Sequence, residues 1–126
     1  MNGVLWALQI VLAFAFLTVG WAHAFRSRQM AAGRPGMGWV LALPPSLMTF
    51  IGICEMAAGV AMILPGLTGI APWLAPLAAL MLSILMILAL IFHALRTGEG
   101  RSIVLNFILF ALAALVAYGR YAVVPL

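Results

Sequence analysis

Residues 46–64 read SLMTFIGICEMAAGVAMIL, an apolar run of membrane-crossing length with one acid, Glu55, near its middle. An ionised carboxylate at that depth costs roughly 2.5–3.5 kcal/mol even on lenient insertion scales. The 126-residue chain has only two acids, so one in this position implies a partner or a role. Ionisable residues inside a membrane face the bundle interior and usually mark a polar site. On a helix, Met48, Gly52, Glu55, Gly59 and Met62 share one face. Gly52 and Gly59 are read as helix-packing positions, because small residues let a neighbouring backbone approach where no hydrophobic drive exists. Glu55 then points at another helix or at a cavity beside the glycines. Three uses stay open for it: a neutral acid in an interhelical hydrogen bond, a ligand or proton site, or a metal ligand.

Composition extends this reading to the whole chain. Hydrophobic residues make up 67% and charged residues 6%, and the mean hydropathy is +1.28. That leaves too little polar surface for a water-soluble domain. Four apolar runs, 4–25, 46–64, 72–95 and 102–123, each approach the ~20 residues needed to cross a bilayer. Backbone in lipid must satisfy its own hydrogen bonds, so the runs are expected to be helices. The predicted fold is all-α: a polytopic membrane protein, one domain over 1–126, built as an antiparallel bundle of four transmembrane helices. Ala22-His23-Ala24 resembles a leader cleavage site, but no Lys or Arg precedes the run and the run exceeds a leader's apolar core.

The net charge of +4 comes entirely from arginine. These arginines read as boundary markers, not as a nucleic-acid surface. Arg26, Arg28 and Arg34 fall between the first two spans, and Arg96 and Arg101 between the last two. The positive-inside rule makes that side cytoplasmic, with both termini outside and the cell inner membrane as location. Cys54 is the only cysteine, which excludes a dithiol relay within the chain.

The connections are short except for 26–45. That loop passes through Gly33-Arg34-Pro35-Gly36 and turns apolar at Trp39, a piece expected at the interface or in the bundle mouth. Residues 65–69 read as a turn with Pro72 opening the next helix, and Thr97-Gly98-Glu99-Gly100 as a tight hairpin. His23-Ala24-Phe25-Arg26 and His93-Ala94-Leu95-Arg96 echo each other at the ends of spans one and three. A parallel duplication and chance both account for the echo.

Four further residues join Glu55 as candidates for a ligand or proton site. His23 and His93 lie about a turn from the cytoplasmic ends of their spans, and Glu55 about 15 Å deep at about 1.5 Å per residue. Across that gap a hydrogen-bonded chain is easier to build than a His–His–Glu cluster. Each histidine also suits a ring at the headgroups. Paired ligation of haem by the two is the least implausible intrinsic cofactor. No metal is expected, because no helix carries ligand spacing such as H-x₃-H. Asn106 shares a helical face with Ala113, Ala117 and Arg120, and could reach either histidine. Arg120, between Tyr118 and Tyr121, reads as a snorkelling anchor or as a cation closing the outer mouth.

The chain resembles the DoxX-like family of small four-helix bacterial membrane proteins. The resemblance covers nearly the whole length. It rests on Gly20 near the end of span one, Gly52-x-x-Glu55-x-x-x-Gly59 followed by Leu64-Pro65, Phe92-His93, and Tyr118-Gly119-Arg120. His23 stands where many relatives carry a lysine. The resemblance implies Glu55, His93 and Arg120 as family positions, and an association with membrane redox complexes, including quinone-coupled thiosulfate oxidation. The expected function is an accessory or quinone-proximal subunit of a membrane redox system. It carries no cofactor of its own beyond a quinone, and has a redox protein or a second copy as partner. The alternative is a non-catalytic bundle that binds a small lipophilic molecule or scaffolds a complex. A lipid-open cavity beside Glu55 would favour the first, and a close-packed interior the second.

Overall fold

A computed structural model describes residues 1–126. Helix α1 spans Asn2–Phe25, a short α2 spans Ser27–Ala31, and a 3₁₀ turn covers Gly38–Ala42. Helices α3 (Pro45–Thr68), α4 (Leu74–Ala94) and α5 (Gly100–Tyr118) follow, and α5 runs into a π turn at Gly119–Val123. There is no strand. Four of these helices are long and apolar enough to cross a membrane, taking α5 with its π turn as one span. This is an integral, multi-pass membrane protein in contact with the bilayer.

Only 26 of 126 residues are buried, while Phe14, Phe50, Leu88 and Phe107 stand exposed on outward faces. The apolar surplus therefore faces lipid, and the interior is a narrow seam. Leu12, Phe16, Met62, Leu82, Met86 and Val116 form its centre. Helix α1 packs mainly along α3, and α4 along α5; α3–α4 contacts then join the two pairs.

Glycine sets the closeness of the α1–α3 pair. A β-carbon at Gly52 would collide with the Gly20 carbonyl and stand 2.5 Å from the Ala24 nitrogen. At Gly59 the nearest groups, the Ala13 carbonyl and Leu17 Cγ, are 3.2 Å away, so that approach is less severe. The inner face of α3 carries Met48, Gly52, Glu55, Gly59, Met62 and Pro65.

Two connections differ from the reading of the sequence. Residues 65–68 are helical, and α3 ends only at Gly69, whose left-handed φ of 71° forms the C-cap. Its N–H donates to the Pro65 carbonyl at 2.9 Å. Proline inside a membrane helix is tolerated because neighbouring groups re-satisfy the freed backbone. Pro72 precedes α4 instead of opening it, and the helix begins at Leu74.

Candidate functional site

The end of the bundle that carries the arginine loops holds both acids and both histidines. His23 Nδ1 and Glu55 Oε2 are 2.7 Å apart in the α1–α3 seam, with side chains 10% and 3% exposed. One proton lies on that axis whether the pair is imidazole–carboxylate, imidazolium–carboxylate or imidazole–carboxylic acid. The direct contact corrects the expected gap between the two residues. In the register of the α1–α3 pair, a β-carbon at Gly20 would stand 3.0 Å from Glu55 Cβ, so Glu55 is level with Gly20 and about 4.5 Å deeper than His23 along the backbone. Every Cα–Cβ bond tilts toward its helix's N-terminus. In antiparallel helices His23 therefore leans inward and Glu55 outward, and the side chains close the distance without bent helices.

His93, at the last turn of α4, makes the corresponding contact with Glu99: Nδ1 to Oε2, 2.6 Å. Arg96 Nε donates to the other oxygen of Glu99 at 2.7 Å. Burial pushes the Glu99 carboxyl up, but the hydrogen bonds from Arg96 and His93, with their charge, outweigh it. They hold the group below its ordinary 4.5. Sequence reasoning treated Glu99 only as a hairpin residue. The signal was its position three residues after Arg96 and two before Arg101.

Trp39 joins the two pairs. The 3₁₀ turn brings its ring edge-on to His23, centroids 5.6 Å apart, and to His93, centroids 5.1 Å apart. The long loop thus folds into the bundle mouth as a lid. The Nε2 atom of neither histidine has a protein partner, yet neither is sealed, since Arg120 Nη2 is the only buried side-chain nitrogen or oxygen left unpartnered. Both imidazoles are therefore held through Nδ1, and neither Nε2 makes a hydrogen bond within the protein. The echo at residues 23–26 and 93–96 gives two histidines of like environment. Their carboxylates come from different places, one on another helix and one from the following turn.

Asn106 takes no part. Its Nδ2 donates to the Ser102 carbonyl one turn back on α5, so the expected reach to a histidine is not made. No three His, Cys, Asp or Glu residues converge into a metal-binding group.

Arg120 is at the opposite end, remote from Glu55, and it is neither a snorkelling anchor nor exposed: only 2% of it is accessible. It continues the buried face of Ala113 and Val116 into the π turn, which is closed by Val124 N–H donating to the Gly119 carbonyl at 2.8 Å. Its Nε donates to Gln9 Oε1 (2.6 Å) and its Nη1 to Asn2 Oδ1 (2.7 Å). Gln9, fully buried, also donates to the Met62 carbonyl. Gln9 was missed from the sequence, although an amide inside an apolar span carries the same signal as Glu55, at lower cost.

The larger of the two main cavities is a groove of about 630 Å³ between α4 and α5, lined by Trp73, Leu80, Ile84, Phe110, Ala114 and Tyr118 among others. It opens toward lipid and touches neither histidine nor Glu55. The smaller, about 170 Å³, lies under the 3₁₀ turn by Arg28, Val40 and Met48.

These features define a small polytopic helical membrane protein with a histidine–carboxylate site at one end. A model of the DoxX-like family matches residues 7–116, and the chain belongs to that family. No curated protein and no solved structure matches the chain.

Proposed function

We propose that this protein is an accessory subunit of a membrane redox system, exchanging a proton with a lipophilic carrier of the quinone class at its histidine–carboxylate end. The observation that carries this reading is the His23–Glu55 pair. A carboxylate that orients an imidazole through Nδ1 leaves Nε2 ready to give or take a proton. The second pair, His93–Glu99, doubles that capacity, and the Trp39 lid offers an aromatic face to a quinone ring. The chain shows no electron carrier, so electrons pass to a partner protein. In the same reading the arginine loops are cytoplasmic, in the cell inner membrane, and both termini are outside.

A second reading rests on a different observation. The α4–α5 groove has the size of a small-molecule site, about 300–1,000 Å³, and Glu55 sits in a close-packed seam. Both features meet the condition that favours this alternative, a close-packed interior at Glu55 with the open groove elsewhere. They suit a non-catalytic bundle that holds a lipophilic molecule in the groove, with Glu55 serving only to join α1 and α3.

The two readings place a quinone against different tryptophans. Protein in nanodiscs would be titrated with a short-chain quinone, following tryptophan quenching in the parent, Trp39→Phe and Trp73→Phe. Infrared difference spectra with Glu55→Gln as control would report on the carboxyl. Quenching lost in Trp39→Phe, together with a Glu55 band that moves on quinone addition, is the expected result. Quenching lost only in Trp73→Phe, with a silent carboxyl, would replace the redox reading by the second. No quenching in the parent would sink both.

A further inference from the structure

We propose that Arg120 anchors an oxyanion site at the end of the bundle that carries the termini, taking the phosphate group of an anionic lipid or free inorganic phosphate. This site is independent of the histidine–carboxylate end, and Asn2, Trp6 and Arg120 lie outside the residues matched by the family model.

Charge is the first observation. Arg120 is 98% buried by its 2% exposure, yet every oxygen it meets is neutral: Gln9 Oε1, Asn2 Oδ1 and, at 3.2 Å, the Val124 carbonyl. Both acids of the chain are engaged at the far end. A guanidinium taken out of water without a counter-charge is strongly disfavoured, whereas one paired with an oxyanion in fork geometry is not. Its remaining amino group, Nη2, is buried with no partner at all. The indole of Trp6 covers the guanidinium at 5.2 Å, which compensates only part of the charge.

The second observation is the first turn of α1. Its earliest backbone hydrogen bond is Leu5 N–H to the Met1 carbonyl, so the N–H groups of Asn2, Gly3 and Val4 are free. Free N–H groups at the positive end of a 24-residue helix favour an anion. A β-carbon at Gly3 would meet nothing within 4 Å, so there is open space beside them. Asn2, itself exposed, belongs to this turn and its Oδ1 accepts from Arg120 Nη1, so it links the turn to the guanidinium. An oxyanion that replaces the Asn2 oxygen on Nη1 would sit beside the unpartnered Nη2, and these two donors grip two phosphate oxygens at once.

The position also suits a headgroup. Trp73, Tyr118 and Tyr121 are exposed at this end and form the aromatic level at which lipid phosphates lie. Gly119 fits the site closed from the other side: a β-carbon there would stand 2.5 Å from Leu5 Cδ2, so glycine lets the end of α5 bring Arg120 onto α1.

The test uses full-length protein in phosphate-free maltoside micelles, with thermal unfolding as readout. One arm adds dioleoylphosphatidylglycerol and the other sodium phosphate, each against a matched chloride control. Asn2→Asp places a carboxylate on Nη1 and so supplies the missing counter-charge without touching Arg120. Arg120→Lys keeps the charge and removes the fork. The parent is expected to be stabilised by the lipid, with apparent affinity weakened about tenfold or more in both variants. Asn2→Asp should be at least as stable as the parent without ligand. Stabilisation by the lipid alone assigns the site to a headgroup; stabilisation by phosphate as well assigns it to a free oxyanion. Equal affinity in parent and Asn2→Asp, or no stabilisation of the parent by either probe, overturns the proposal.

Discussion

At the scale of single residues, the two acids divide between depth and surface. Glu55 is compensated by one histidine in the seam, and Glu99 by a histidine and an arginine at the α4–α5 turn. Because the folded Glu99 carboxyl is held below its ordinary 4.5, it titrates at lower pH in the folded protein than in the unfolded one. Its contribution to stability is present above the unfolded value and is lost as pH falls through the folded one. Unfolding in micelles followed from about pH 7 to about pH 3 should therefore show an acid-side loss that Glu99→Gln flattens. The exposed side of the Arg96 pair limits that pair to on the order of 1 kcal/mol or less. An unchanged acid limb in the variant would remove Glu99 as its source. Glu55 was legible in the sequence because a lone acid in an apolar run is costly by itself. Glu99 was not, because a glutamate in a glycine-flanked turn is ordinary until the fold brings His93 back over it.

At the scale of elements, the α1–α3 crossing decides whether the His23–Glu55 pair can form. The inner face of α3 follows from spacing alone, since residues three and four apart share a side. The severity of each approach does not. A methyl group at Gly52 meets backbone of α1, which cannot yield locally, whereas at Gly59 it meets Leu17, a side chain with room to shift, and a carbonyl 3.2 Å away. Gly52→Ala should therefore cost about 1–3 kcal/mol and weaken the infrared signature of the His23-bound carboxyl. Gly59→Ala should cost clearly less. Thermal unfolding of the two variants side by side checks the order, and equal costs would mean that the crossing is looser than the contacts at Gly52 imply. Helical spacing puts Arg120 on one stripe with Ala113, and because Ala113 and Val116 are buried that stripe faces the seam, which takes Arg120 inward with them.

At the scale of the whole molecule, polar groups collect at both ends of an apolar seam, and arginine marks one end. Arg26, Arg28, Arg34 and Arg96 lie in the two connections on that side, and Arg101 in the first turn of α5 beside them. If these face the cytoplasm, a cysteine introduced by Ser27→Cys or Thr97→Cys should react with a membrane-impermeant thiol reagent only in inverted vesicles. A cysteine at Gly69→Cys should react only from the opposite side, with Cys54 replaced by alanine in each case. Labelling of Ser27→Cys and Thr97→Cys from outside, with Gly69→Cys reactive only in inverted vesicles, would overturn the orientation. The sequence by itself determined that this is a four-span helical membrane protein, that Glu55 faces inward, and that the arginines share a side. Those properties depend on composition, run length and helical period, which are local and additive along the chain. Only the tertiary structure decided that Glu55 meets His23, that Trp39 lies between the two histidines, that Asn106 stays on its own helix and that Arg120 is buried against Gln9. Each of these depends on the register of one helix against another and on the lean of side chains across the gap, and residues far apart in the chain set both.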